Sequence, residues 1–413
     1  MMDFFEQRYY VLNKRFMSYF GMWPLENSIK SKLLFYLVIF IFFTMYVPEI
    51  IKVAEIGITD IDAFIECIPP IVVLKGSMIK TFTVGFHIDH FQVLLKHIEE
   101  DWRNLIDVKE IAILSKYAES GRKFTIWYMF YITFTTLLYL SLPLSPIFLN
   151  ILFPLNESRK MELLFCTEYF VNEEEYFNEI LFYDYAITIL VVAVLIATDT
   201  MYMMYSEHAC GIFAIVCYRL NNIGKCENTE EKYDNNFLNK SKDDNYNKAQ
   251  DEKNYQELSL CVKRHKHAIE FVELLQACYT ESLIILLIVN VVGISITGVQ
   301  TIINIHNFSD VFRFGFLTIG EAFHLFCLTL PSQRIIDHSA KVFENSYNSC
   351  WYVLSSRCKR TLSLILLRSM TPCQLMAGGL YSMTLENYVS FKRLCRTLRY
   401  YHQYDKICVK LQH

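Results

Sequence analysis

Between Lys123 and Glu157 the chain carries no Asp, Glu, Lys or Arg, and its residues there are mostly aromatic, aliphatic or hydroxylic. A helix needs roughly 20 mainly apolar residues to cross a bilayer, and in lipid its backbone polar groups must be satisfied within the segment. The stretch therefore predicts a membrane-spanning helix. The whole chain agrees: its 413 residues are 53% hydrophobic, 15% aromatic and only 20% charged, too apolar for a soluble protein of two or three domains. The expected fold is all-α, a polytopic bundle of seven transmembrane helices.

Other stretches of suitable length and hydropathy lie near residues 33–47, 65–86, 185–199, 282–303 and 312–330, with the charge-free one covering 124–149. A seventh span starts near Thr371. The apolar run from Thr361 to Leu367 is too short to cross and reads as a short helix within residues 350–368. This divides the chain into an arm (1–32), spans one to four (33–220), a loop (221–268), spans five to seven (269–391) and a tail (392–413). Within the loop, residues 221–254 are dense in Asn, Lys, Asp and Glu and predict disorder.

Charge fixes the expected orientation, because Lys and Arg in short loops stay inside. The arm carries Arg8, Lys14, Arg15, Lys30 and Lys32, whereas the loop after span one has Lys52 against Glu49, Glu55, Asp60 and Asp62. Lys96, Arg103, Lys109, Lys116, Arg122 and Lys123 follow span two, and Arg334, Lys341, Arg357, Lys359 and Arg360 follow span six. The amino terminus is thus expected in the cytoplasm, opposite to a G-protein-coupled receptor. Neither a D-R-Y-like triplet nor an N-P-x-x-Y-like motif is present. Asn156, in the sequon Asn156-Glu157-Ser158, falls in the second outer loop and is a candidate glycosylation site.

Several classes are disfavoured. The net charge of −4 provides no basic field for nucleic acid. Thirteen Cys are scattered without C-x-x-C pairs, so neither a metal site nor a disulfide framework is indicated, and no cofactor is implied. H-E-x-x-H, G-x-S-x-G and P-loop patterns are absent, which speaks against an enzyme.

Three segments carry a resemblance. The run Pro154-Leu155-Asn156-Glu157-Ser158-Arg159 is followed by Glu168-Tyr169-Phe170-Val171. Span four contains Ala197-Thr198-Asp199-Thr200-Met201, His208-Ala209-Cys210-Gly211 and Tyr218-Arg219-Leu220. Near the end stands Pro372-Cys373-Gln374-Leu375-Met376-Ala377-Gly378-Gly379-Leu380-Tyr381-Ser382 up to Tyr388. In order and spacing these resemble insect odorant receptors of the hymenopteran type. The resemblance implies a ligand-gated, non-selective cation channel in the plasma membrane of olfactory sensory neurons, a hetero-tetramer with the odorant receptor co-receptor. It implies a pocket for a volatile odorant or pheromone among spans two, three, four and six, and a pore lined by the seventh helix.

Pocket candidates are chosen by depth and face. Tyr131, Thr135 and Tyr139 share one face of span three at i, i+4 and i+8. Val73 and Ser77 share a face in span two, Ile189, Val192 and Ile196 in span four, and Phe316 and Gly320 in span six. Each set serves equally as helix packing. Charges inside spans are expensive and default to functional hypotheses. Lys80, Asp199 and Glu207 fall toward inner ends, where a hydrated region would receive them; Lys75 and Glu321, nearer mid-span, are candidates for an ion pair.

In the seventh helix Glu386 and Asn387 are candidates for facing a cation pore or for bonding between subunits, and Leu394, Leu398 and Tyr401 form an apolar face beyond them. Lys392, Arg393, Arg396 and Arg399 interrupt that segment. Either the helix turns this basic stripe to water, or it ends near Phe391 ahead of a basic tail, or the tail reflects a misread gene end or a degenerate receptor that does not conduct.

Overall fold

The computed structural model describes residues 3–57, 60–144, 163–224, 240–303 and 308–389. Asn156 and the pore candidates Leu394, Leu398 and Tyr401 lie outside these residues. Helices dominate: α1 Val11–Tyr19, α2 Ile29–Ile56, α3 Ile61–Phe86, α4 Ile88–Arg103, α5 Val108–Leu140, α6 Phe177–Asn222, α7 Lys240–Ile303, α8 Phe308–Tyr347 and α9 Ser356–Ser369. A two-stranded hairpin, β1 Met376–Ala377 and β2 Tyr381–Ser382, follows, and residues 385–389 begin a further helix.

Caps set the starts. Ser28 accepts from the Ser31 N–H at 3.0 Å, Asp60 from Ala63 at 3.1 Å and Asp107 from Lys109 at 2.9 Å, each meeting a donor that the first helical turn leaves unpaired. Among the described residues five helices, α2, α5, α6, α7 and α8, are long and apolar enough to cross a membrane. Their outward faces remain apolar: Phe40 is 65% exposed and Phe130 71%, with Leu33, Leu37, Phe134, Leu137 and Ile288 also exposed. Such a belt suits lipid.

The long helices overrun a bilayer of about 30 Å, since the 46 residues of α6 extend roughly 69 Å. The excess forms a second layer at the end that carries the N-terminal arm, here called basal. α6 is the axis of the molecule and packs on α5, α8, α7 and α3. Every residue from Ile196 to Phe213 is buried. The arm closes over the basal end through Phe5, Tyr10 and Trp23, and the Trp102 indole of α4 donates to the Tyr10 hydroxyl at 2.8 Å.

Three sequence expectations change. The helix α7 starts at Lys240, inside the stretch whose composition suggests disorder. That end is held against α9: Arg357 meets Glu252 at 3.1 Å and lies 3.3 Å over the Tyr255 ring, and Leu258 and Cys261 are fully buried. The third span belongs to a helix that begins at Val108 and ends at Leu140, so it carries a charged basal extension that hydropathy does not register. No helix starts at Thr371. The hairpin occupies that place because Gly378 and Gly379 both adopt positive φ, +60° and +69°, and the Leu380 N–H closes the turn on the Ala377 carbonyl at 3.1 Å.

A polar cluster joins the basal layer. Asp101 of α4 contacts His208 of α6 at 2.9 Å and His267 of α7 at 3.0 Å. Burial pushes the Asp101 carboxyl up, and the two imidazoles more than reverse this, so it ionises below the usual carboxylate range. Its hydrogen bond to His267 raises that imidazole above 6.5. Stability from Asp101 is present above 3.8 and lost as pH falls through its depressed value; stability from His267 is full below 6.5 and lost as pH rises through its raised value. The melting temperature of the wild type is therefore expected to fall between pH 6 and 8.5 by more than that of H267Q.

Candidate functional site

A cavity of about 190 Å³ opens in the half of the bundle away from the basal layer. α2 contributes Met45 and Glu49, and α3 contributes Val73 and Gly76. α5 contributes Ile132, Thr135 and Tyr139, α6 contributes Val191, Val192 and Leu195, and α8 contributes Phe316, Gly320, Glu321 and His324. Phe165, from the segment before α6, and Asn290 of α7 complete the wall. Pro70 of α3 also lines it, where the paired prolines Pro69 and Pro70 remove two helical N–H donors. A small, mainly aliphatic and aromatic chamber with a few polar groups favours a small apolar molecule held by desolvation and oriented by hydrogen bonds.

Of the ten pocket candidates, Val73, Thr135, Tyr139, Val192, Phe316 and Gly320 line this cavity. The other four are elsewhere. Ser77 is fully buried between α3 and α6, donating to the Val191 carbonyl at 3.1 Å. Tyr131 packs on Phe323 with ring centroids 4.1 Å apart. Ile189 is 57% exposed on the outer face of α6, and Ile196 is packed with Tyr128 and Cys327. At about 100° per residue Ile189 and Ile196 lie to one side of Val192, whereas the lining residues Thr188, Val191 and Leu195 lie to the other, so the two isoleucines turn away from the chamber. Glu49, Phe165, Asn290 and His324 were not anticipated. The His324 position carried a readable signal, since it stands one turn after Glu321 on the same face of α8.

Beneath the cavity lies a buried polar network. Lys80 of α3 is ion-paired with Asp199 of α6, and its ammonium is 2.8 Å from the Nε2 of His324. The Tyr128 hydroxyl of α5 donates to Asp199 at 2.6 Å, and His324 Nδ1 is 2.9 Å from the Asn290 side-chain oxygen of α7. Lys80 is 5% exposed and Asp199 7%. The expectation that these charges sit in a hydrated inner region is thus corrected: five helices supply the partners that water would have supplied. Glu207, 1% exposed, is likewise paired with Arg334 of α8. Nor do Lys75 and Glu321 form an ion pair among the described residues. Lys75 lies 5.7 Å from the Tyr46 ring centroid, and Glu321 faces Thr297 and Gly293 of α7.

The chain's last described segment is pinned to the same helices. The Gln276 side chain of α7 accepts from the Met376 N–H at 2.6 Å and donates to its carbonyl at 2.7 Å, while the Gly378 N–H donates to the Thr280 carbonyl at 2.8 Å. Thr384 then caps the terminal helix, accepting from the Asn387 N–H at 3.2 Å. The Asn387 amide turns back to the Ser382 carbonyl at 2.7 Å, whereas Glu386 is exposed in the first helical turn. The two residues read together as a polar pair therefore do different things: Asn387 closes the cap, and Glu386 alone is left outward.

Comparison with known proteins fits this architecture. A sequence profile of the 7tm Odorant receptor family matches residues 60–395. A search of curated protein sequences finds no significant match. Among solved structures, the fold is similar to the insect olfactory receptor OR5 from Machilis hrabei in complex with eugenol, with a TM-score of 0.72 and 13% identity over 94% of this chain and 95% of that one. The same receptor without that description of a ligand gives a TM-score of 0.69 at 13% identity and the same coverage. With the profile spanning most of its length and a multi-pass helical bundle beneath it, the chain belongs to the 7tm odorant receptor family.

Proposed function

We propose that this odorant receptor is a subunit of a ligand-gated, non-selective cation channel, assembled as a hetero-tetramer with the odorant receptor co-receptor. Its cavity would hold a small volatile or pheromone, and its place would be the plasma membrane of olfactory sensory neurons, with the amino terminus inside and Asn156 outside. The single observation that carries this reading is the apolar chamber of about 190 Å³ enclosed by six helices, in a fold shared with a receptor solved with eugenol. Val73, Thr135, Tyr139, Val192, Phe316 and Gly320 are the wall residues assigned to the ligand, and Glu386 with Leu394, Leu398 and Tyr401 is assigned to the pore.

A second reading, a receptor that binds but does not conduct, is favoured by Lys392, Arg393, Arg396 and Arg399, because a basic stripe beside a pore opposes cations. Voltage-clamp recording with the co-receptor separates the two: volatile-evoked inward current supports the channel, and silence from a chain that reaches the surface supports the second reading. Gly320→Leu tests the chamber. Nothing lies within 4 Å of a Cβ built at Gly320, so the larger side chain grows into the open space without disturbing the fold. Half-maximal ligand concentration is expected to rise at least tenfold, with surface expression within a factor of two of wild type.

A further inference from the structure

We infer that His324 is the positioning residue of the chamber floor: protonated on Nδ1 alone, its ring accepts from Lys80 through Nε2 and so couples whatever fills the chamber to the buried Lys80–Asp199 pair. Its functional meaning rests on the reading of the cavity as the ligand site, to which it adds the residue that carries occupancy into the bundle. His324 lines the chamber and keeps 12% of its side-chain surface open. Among the described residues two side chains hydrogen-bond to the pair, His324 and Tyr128, and Tyr128 does not line the chamber. The imidazole is therefore the polar link between the open space above and the charges below.

The neighbours of the ring fix which nitrogen carries the proton. The Asn290 amide nitrogen donates to the Leu286 carbonyl at 2.7 Å, which turns the Asn290 side-chain oxygen toward His324. That oxygen only accepts, and it lies 2.9 Å from Nδ1, so Nδ1 holds a proton. Nε2 lies 2.8 Å from the Lys80 ammonium, which only donates, so Nε2 keeps its lone pair. The other contact of Nε2, with Asp199 Oδ2 at 3.4 Å, is longer, and that oxygen already accepts from Tyr128 at 2.6 Å. Donation thus runs one way, from Lys80 of α3 through His324 of α8 and Asn290 to the Leu286 carbonyl of α7. With both nitrogens taken the ring has no donor left for a guest, and its part is geometric. A guest that moves α8 from α3 takes an acceptor away from an ammonium that is 5% exposed. By linkage, a weaker bond to Lys80 and an easier filling of the chamber go together. Gly320 stands one turn before His324 on α8, and Val192 two turns before Asp199 on α6, so the helices that wall the chamber also carry the network.

The test fills the chamber from within, so it needs no ligand. The purified full chain in lipid nanodiscs, labelled with 15N-histidine, is compared with G320L and V192F, and H324Q identifies the His324 resonances among the 11 histidines. In the wild type His324 is expected to show a protonated Nδ1 and an unprotonated Nε2. Both filled chains should move the Nε2 resonance by at least three linewidths and leave that of the exposed His90 within one. If neither filled chain folds, pressurised xenon takes the place of the added side chains, with the same shift expected. In surface biotinylation H324Q, whose side-chain oxygen can accept from Lys80, should keep at least half of the wild-type signal, and H324L, which has no acceptor, should lose at least fivefold. A ring protonated on Nε2, an Nε2 resonance unmoved by every occupant, or H324L reaching the surface as well as H324Q overturns the inference. Currents recorded in parallel keep the two readings apart. A shifted Nε2 in G320L beside an unchanged half-maximal concentration for volatile-evoked current leaves the coupling standing and removes the chamber as the ligand site; an unmoved Nε2 beside a raised one does the reverse.

Discussion

Lys80→Met is expected to remove most of the chain from the cell surface, the largest loss of any single substitution in the bundle. It strands the Asp199 carboxylate 7% exposed among α3, α5, α6 and α8, with the Tyr128 hydroxyl and His324 as its remaining neighbours. Breaking a buried pair from one side costs about 3 to 5 kcal/mol, because the uncompensated charge stays behind. Removing both partners costs far less. The double variant K80M/D199N keeps an acceptor for Tyr128 and carries no charge, so it should recover at least half of the wild-type surface signal in a surface biotinylation assay. A double variant no better than K80M alone would show that the pair is not the source of the loss. The bound on this effect is set by the helices: Lys80 and Asp199 sit on α3 and α6, so their contact ties two helices that share the cavity wall.

Gly378→Val is the second large effect, and it acts on function more than on folding. Gly378 has φ of +60°, where a β-branched residue is strained by roughly 1 to 2 kcal/mol, and its Cβ would lie 3.2 Å from Ile284 of α7. The hairpin loses its turn and the Gly378 N–H moves away from Thr280. Ligand binding, which involves none of these atoms, should stay within a factor of two by thermal shift. Current per surface receptor should fall more than tenfold, because the terminal helix starts three residues beyond β2 and takes its direction from it. Gln276→Ala, which removes both bonds to Met376, should fall in the same direction by a smaller factor. Intact current in G378V would separate the hairpin from the pore.

How far these features could be read in advance depends on the range of the interaction that makes them. Five of the spans were legible because hydropathy is a local property summed over about 20 residues. The charge-free run after Lys123 and the apolar stretch of span five needed no partner to be recognised. Asp199 was not legible in the same way. Its counter-charge lies 119 positions earlier, and nothing local distinguishes an aspartate that meets lysine from one that meets water. The start of α7 at Lys240, within the residues 221–254 whose composition suggests disorder, was not legible for a related reason: the residues that hold this end, Arg357 and Cys358, come a hundred positions later. The hairpin is different, since the doublet Gly378-Gly379 is itself a turn signal, and the apolar residues around it favoured a helix only while its two glycines were ignored. In the cavity, faces were read with a tolerance of about one residue in three, which is why Val192 reaches the chamber and Ile189 and Ile196, on the same nominal stripe, do not.

The length of α6 has a mechanical meaning. Val191 and Val192 touch the chamber, Asp199 holds the network below it, Glu207 grips Arg334, and Arg219 closes on Glu110 at the far end. No proline interrupts the 46 residues between Phe177 and Asn222, and its single glycine, Gly211, is packed against Leu114 and Tyr117, which leaves the rod no joint. With no such joint, a displacement of its upper third by a guest in the chamber would be carried along the shaft. It would be felt at the lower third, where the same rod packs on α5, α7 and α8.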